Sequence, residues 1–326
     1  MSKDTPDFHR EMESESKNTS DFHRGMESKR NKRIEKISRR EWMKYSLAGG
    51  VGLLASAGYV SFEAQWLEVC EKEIMLKRLH PESNLRLLHL SDLHLSRAVS
   101  LDYLEIALKK GLEQSPDACF LTGDFITDQP GQKDLIAYQK LLGFFAARVP
   151  TYACLGNHDG GSWAAEHGGF NSPQKIKYIL AAAKIRVLDN ETEQLYIKGQ
   201  QIEIAGLGDL WSENCRPHDC LQRNSELPKD KKSKPLILLN HNPDAKKALG
   251  DYNWDLMLCG HTHGGQFRVP YENSTPFAPV QDRSMVEGSF NWKGRVIHIT
   301  RGVGNLYGIR LNCRPEISLL KVSGIS

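Results

Sequence analysis

The stretch Leu85-Arg86-Leu87-Leu88-His89-Leu90-Ser91-Asp92-Leu93-His94 decides how the rest of the chain reads. Its first six residues have the length and apolar content of a buried strand, and the run then ends in a carboxylate and an imidazole. The arrangement returns four more times. Residues 118–122 run into Gly123-Asp124, 149–155 into Gly156-Asn157-His158-Asp159, 236–239 into Asn240-His241-Asn242, and 256–259 into Gly260-His261-Thr262-His263. Further strands are expected at 185–188, 201–205 and 295–300. Between them, 101–114 and 133–148 carry apolar residues at helical spacing, and Ser172-Pro173 reads as the cap and first-position proline of a third helix towards Ala183. Strands alternating with helices predict an α/β fold, a layered sheet sandwich flanked by helices, with its ligand site at loops leaving the strand ends.

A single Asp-x-His after a strand is usually only a turn. Five clusters of oxygen and imidazole groups, each following a buried strand, converge on one edge and call for a common ligand. Divalent cations are that ligand. Imidazole and carboxylate donors suit manganese, iron or zinc, and the absence of thiolates argues against a structural zinc site. Two cations a few ångströms apart need a shared carboxylate, and Asp124 on its glycine-supported turn is the natural bridge. Gly123, Gly156, Gly260 and Gly264 let the backbone turn sharply beside these groups.

In this order the clusters resemble the calcineurin-like metallophosphoesterase superfamily, whose pattern is D-x-H, GD, GNH(D/E), H and GH-x-H. The resemblance runs from about Leu85 to Val322. It implies that Asp92, His94, Asp124 and His263 hold one metal and that Asp124, Asn157, His241 and His261 hold the second. It further implies that His158 faces the scissile phosphate, with Asp159 behind it to orient the ring. Two divalent ions, manganese first, are the expected cofactors. They would make hydroxide available near neutral pH and neutralise the phosphoryl oxygens.

The substrate is less fully specified, since one such centre serves many phosphoesters. The run from Thr300 to Ile317 resembles a membrane-associated bacterial branch, and its Arg301, Arg310 and Arg314 are candidates for cradling anionic groups. Two long irregular stretches, 211–234 and 269–292, hold Trp211, Tyr271, Phe277, Phe290 and Trp292, and loops of that length are usually functional. As a whole the chain resembles the UDP-2,3-diacylglucosamine pyrophosphatases of calcineurin-like type. That implies hydrolysis of a nucleotide-linked lipid to UMP and 2,3-diacylglucosamine 1-phosphate, at the cytoplasmic face of a bacterial inner membrane. Rival readings are an exported or membrane-anchored phosphodiesterase and a scaffold without activity.

The N-terminal part is of a different kind. Residues 2–14 recur almost unchanged at 16–28, which reads as a disordered arm, basic by its end at Lys44. Residues 45–62 carry no charge. Three readings of this membrane segment stay open: a spanning signal-anchor, an export signal built on Ser38-Arg39-Arg40, and an interfacial segment weakened by its glycines. The first two would place the domain outside the membrane, where UDP-linked sugars are absent, so the cytoplasmic substrate requires the third. Residues 63–80 are expected to be a linker helix, with the catalytic domain at 81–326. A net charge of +3 lacks the one-sided surplus of a nucleic-acid binder, so no such partner is expected. Seven cysteines are too few and too scattered for a disulfide framework; Cys119, Cys154 and Cys259 read as core, and Cys215 and Cys220 as free thiols in a loop.

Overall fold

In strand β2 (Leu85–Leu90) successive side chains point to opposite faces, and both faces are apolar. Leu85 and Leu87 meet a second sheet, while Leu88 and Leu90 meet helices. The computed structural model describes residues 58–224, 234–270, 272 and 274–325. The repeat, the basic arm and the segment up to residue 57 lie outside the described residues. Among the described residues, no helix is long and apolar enough to cross a membrane.

Two six-stranded sheets face each other. The first has the order β1 (Glu68–Leu76), β12 (Glu316–Gly324), β2, β3 (Ala118–Thr122), β4 (Thr151–Cys154), β5 (Arg186–Val187), and the second β10 (Gly288–Trp292), β11 (Arg295–Ile299), β9 (Leu256–Cys259), β8 (Leu236–Leu239), β7 (Gln200–Gly206), β6 (Glu191–Ile197). In the first, β2, β3 (Ala118–Thr122), β4 (Thr151–Cys154) and β5 (Arg186–Val187) run parallel. In the second, β7 (Gln200–Gly206), β8 (Leu236–Leu239), β9 (Leu256–Cys259) and β11 (Arg295–Ile299) do the same. Parallel strands deliver all their C-terminal ends to one edge, which is how residues far apart in sequence come to share a site.

The inter-sheet core follows from the period of two. Leu85, Leu87, Ala118 and Phe120 of one sheet pack with Ile202, Ile204, Ile237, Leu239, Leu256 and Leu258 of the other. The outer face of the first sheet is closed by α1 (Leu101–Glu113), α2 (Gln132–Ala146) and α4 (Gln174–Ala182), through Leu104, Leu108, Tyr138, Leu142, Ile176 and Ile179. Ser100 caps α1 by accepting from the Tyr103 N–H at 3.2 Å. A short α3 (Ser162–Glu166) lies between α2 and α4. The outer face of the second sheet is closed differently: Leu221, Leu249, Tyr252, Trp254 and Met285 cover it from loops and turns. The expected flanking helices therefore cover one sheet only among the described residues.

The expected linker helix is corrected. Residues Glu68–Leu76 form β1, paired in parallel with β12 (Glu316–Gly324), so the domain begins before Pro81. β1 is an edge strand, and its Glu71, Lys72 and Glu73 face solvent, as edge strands that resist further pairing commonly do. Those charges read as an exposed helix face. β6 (Glu191–Ile197) and β10 (Gly288–Trp292), also absent from the expected strands, are edges too. All seven cysteines are free; Cys119, Cys154 and Cys259 are buried, as expected.

Candidate metal centre

Each cluster begins just beyond a strand: Asp92 after β2, Asp124 after β3, Asn157 after β4, His241 after β8 and His261 after β9. Five of the seven expected ligands, Asp92, His94, Asp124, His261 and His263, take positive φ between 49° and 69°. This backbone costs about 1–3 kcal/mol per residue where a side chain is present, and it persists only when surrounding structure enforces it. The enforcement is visible. The Asp92, His94 and Leu95 N–H groups donate to the carbonyls of Gly123, Asp124 and Phe125 at 2.9–3.0 Å, holding the two turns side by side. A Cβ on Gly156 would come within 2.2 Å of Asp124 Oδ1, and one on Gly260 within 1.9 Å of Ser91 Oγ and 2.2 Å of Asp92 Oδ2. Only glycine permits these turns to close on the carboxylates.

The result is two groups that meet at Asp124. Asp92, His94 and His263 offer ligand atoms within 4.8 Å of one another, and so do Asp124, His241 and His261. Asp124 Oδ2 lies 3.1 Å from His241 Nε2 and 3.4 Å from His94 Nε2, one from each group. Asp92 Oδ1 lies 3.5 Å from His263 Nε2. Within each group the imidazoles face each other, His94 Nε2 to His263 Nε2 at 3.1 Å and His241 Nε2 to His261 Nδ1 at 3.2 Å.

The hydrogen bonds behind the rings show what this arrangement lacks. His241 Nδ1 sits 2.6 Å from the Thr122 carbonyl, and His261 Nε2 sits 3.1 Å from the Pro279 carbonyl. A carbonyl only accepts, so each of those nitrogens carries the ring proton. The opposite nitrogens then present lone pairs to each other and to the Asp124 carboxylate. Such a set repels itself unless a positive charge lies between its members. The same negative surroundings act on His241: burial works against a charge there, but Asp124, Asp92 and Asp209 push it up to about 10. Burial and the neighbouring His241 push His261 down to about 3. The buried Asn157 Oδ1 has no hydrogen-bond partner, another lone pair without a donor. A divalent cation satisfies all of these groups together, with a carbonyl behind the ring as the usual orienting partner.

His158 and Asp159 do not behave as a pair. Asp159 accepts from the N–H groups of Asp124, Phe125 and Gly156 at 2.9, 2.7 and 2.8 Å, and so ties the β3 and β4 turns together. The His158 ring is oriented instead by the Thr127 carbonyl, 2.9 Å from its Nδ1. The expectation that Asp159 orients His158 is corrected on these bonds. With the proton fixed on Nδ1, His158 Nε2 accepts in the neutral ring and donates only from the imidazolium, a form that burial disfavours and Asp124 favours.

The expected phosphate-binding arginines are also corrected. Arg310 is fully buried and donates to the carbonyls of His263, Arg301, Gly302, Gly304 and Cys313, clamping the last ligand turn from behind. Arg301 is paired with Glu316 at 2.8 Å and Glu68 at 3.0 Å, and Arg314 donates to the Trp66 and Leu67 carbonyls. All three are taken up by these protein groups, and Arg310 Nη2 also lies 3.4 Å from Nδ1 of the expected ligand His263. Arg310→Met would strand those carbonyls in the interior, and we expect it to cost about 3–5 kcal/mol of stability, several degrees in Tm by calorimetry. A melting temperature within a degree of the unmodified protein would contradict the clamp.

Two groups went unread in the sequence. Thr127 serves both His94, through its hydroxyl at 3.0 Å, and His158, through its carbonyl. Asp209 is 3% exposed, lies three residues beyond β7, and has an Oδ1 without a partner. Its signal was present, since Gly208-Asp209 after a strand repeats Gly123-Asp124. Of the loop aromatics, Trp211 reaches the site, its ring centroid 4.3 Å from that of His261. Trp292 stacks on Trp254 and, with Phe290, packs on the outer sheet; Phe277 is exposed, and Tyr271 lies outside the described residues.

Two β-sheets that direct acidic and imidazole groups to one edge define a metal-dependent phosphoesterase, and the chain belongs to the calcineurin-like phosphoesterase family, whose model matches residues 85–265. Among individual proteins it is 37% identical to phosphodiesterase YaeI of Escherichia coli over 88% of this chain and 99% of that one. It is 30% identical to the metallophosphoesterase YkuE of Bacillus subtilis over 88% and 98%. To the UDP-2,3-diacylglucosamine pyrophosphatase LpxG of Chlamydia trachomatis it is 26% identical over 73% and 83%.

Proposed function

We propose that this protein hydrolyses phosphodiesters with two divalent cations, manganese first, shared through Asp124. The observation that carries this reading is the pair of lone-pair sets meeting at that carboxylate. Asp92, His94, Asp124 and His263 would hold one ion, and Asp124, Asn157, His241 and His261 the other. When bound, such ions acidify water and offset the charge that moves during in-line displacement. The residues do the rest: Asp159 and Arg310 fix the turns, and His158 stands beside His94, ring centroids 4.9 Å apart, where it can hold a proton for the leaving oxygen. Water adds to phosphorus and gives up a proton to solvent, the bond to the leaving oxygen breaks, and that oxygen departs with the electron pair and takes up a proton.

The similarity to YaeI over nearly the whole chain supports the diester class, and an exported or membrane-anchored placement agrees with the Ser38-Arg39-Arg40 string. A second reading, cleavage of the pyrophosphate of UDP-2,3-diacylglucosamine from the cytoplasmic face, is favoured by the similarity to LpxG. Purified protein, stripped of metal and then supplied with manganese, should be assayed on bis(p-nitrophenyl) phosphate and on UDP-2,3-diacylglucosamine. Manganese-dependent cleavage of the diester is expected. Turnover of the nucleotide-linked lipid alone would replace this reading with the second, and no turnover of either would end both.

A further inference from the structure

Beside the metal groups stands a run of aromatic rings that the hydrolytic chemistry leaves unused. Trp163, on α3, has its ring centroid 4.7 Å from that of His158 at 73°. Trp211, in the loop after β7, stands perpendicular to His261 at 4.3 Å. The two indoles are 5.5 Å apart and tilted at 43°, so they join the His158 side of the site to the His261 side. His167 stacks on Trp163 at 3.9 Å and 13°.

The Trp211 turn is fixed from within and lies against the start of α3. Asp209 Oδ2 accepts from the Ser212 N–H at 2.7 Å, and its carbonyl accepts from the Asn214 N–H at 3.0 Å, which fixes the turn carrying Trp211. Gly161, whose φ of 119° favours glycine, opens α3 beside Ser212, with a Cβ there at ordinary contact distance, 3.4 Å. Trp211 nevertheless leaves 37% of its surface open to water. A wide apolar ring held still and left exposed at the edge of a reaction centre is what a stacking subsite requires.

We infer that Trp163 and Trp211 form a wall that stacks a planar aromatic ring of the substrate, of the kind a nucleoside presents, while its phosphate lies at the metal groups. The inference rests on the phosphodiesterase reading and deepens it to a substrate class. Base-on-aromatic stacking tolerates different rings because each has a π-face, so selectivity should be for flatness rather than for one base.

The test uses two diesters that release the same phenol, thymidine 5′-(p-nitrophenyl) phosphate and methyl p-nitrophenyl phosphate. The ratio of their kcat/KM values isolates the ring from the chemistry. Trp211→Ala and Trp163→Ala should each lower that ratio about tenfold, and Trp211→Phe should restore most of it. Independently of turnover, thymidine 5′-monophosphate should quench the indole fluorescence saturably, and Trp211→Ala should abolish the saturable part. A ratio within about twofold of the unmodified protein, with quenching unchanged, would overturn the wall. If the unmodified protein cleaves neither diester, the functional reading falls, and the quenching experiment alone upholds or sinks the wall.

Discussion

Asp124→Asn is expected to lower kcat on a diester by more than about a thousandfold, equivalent to at least ~4 kcal/mol of transition-state stabilisation. The substitution is chosen to leave the fold alone. Asparagine tolerates the positive φ of 54° found at this position, and its Oδ1 can still accept from the His158 N–H, which Asp124 now does at 2.9 Å. What it removes is the negative charge between His94 and His241. Burial opposes that charge, yet His241 and His158 hold the Asp124 carboxyl well below the usual carboxylate range, so the site is built around the ionised form. Unchanged thermal unfolding with lost turnover is the expected pattern. An Asp124→Asn enzyme retaining a tenth of the activity would show that the two groups do not depend on a shared carboxylate.

His158→Ala is expected to lower the rate on an unactivated ester by about 10²–10⁴ and the rate on a pyrophosphate much less. An alkoxide leaves poorly and needs a proton, whereas phosphate leaves without one. The geometry sharpens this expectation. Because the Thr127 carbonyl fixes the proton on Nδ1, His158 Nε2 donates only when the ring is doubly protonated, a form that burial opposes, holding His158 below its ordinary value, and that Asp124 favours. Measuring kcat on alkyl, p-nitrophenyl and pyrophosphate substrates separates the possibilities. Equal penalties on all three would mean that His158 positions the phosphate and supplies no proton.

The site was largely legible because its residues follow strands whose apolar runs are hard to misread. β2, β3, β8 and β9 begin and end where their apolar runs do, and the first ligand after each lies two residues beyond its end. What sequence could not show is what arrives from elsewhere in the chain. The carbonyls of Thr122, Thr127 and Pro279, which fix the histidine tautomers, are backbone groups with no sequence signature. Arg301 and Arg310 are candidates for an anion cradle by sequence, since charge alone cannot distinguish an arginine open to a phosphate from one buried among carbonyls. β1 was misread because charged edge positions dilute the alternation that marks a strand. Trp163 offered no signal, being one aromatic in a helix of five residues, until the fold placed it against His158 and Trp211.

The shared carboxylate is tested most directly by counting metal. Protein stripped with chelator, reconstituted with manganese and freed of excess should hold two ions per chain by elemental analysis. Anomalous density should lie on either side of Asp124, within coordination distance of His94 and His263 on one side and of His241 and His261 on the other. A single ion, or two ions with Asp124 bound to neither, would contradict the account.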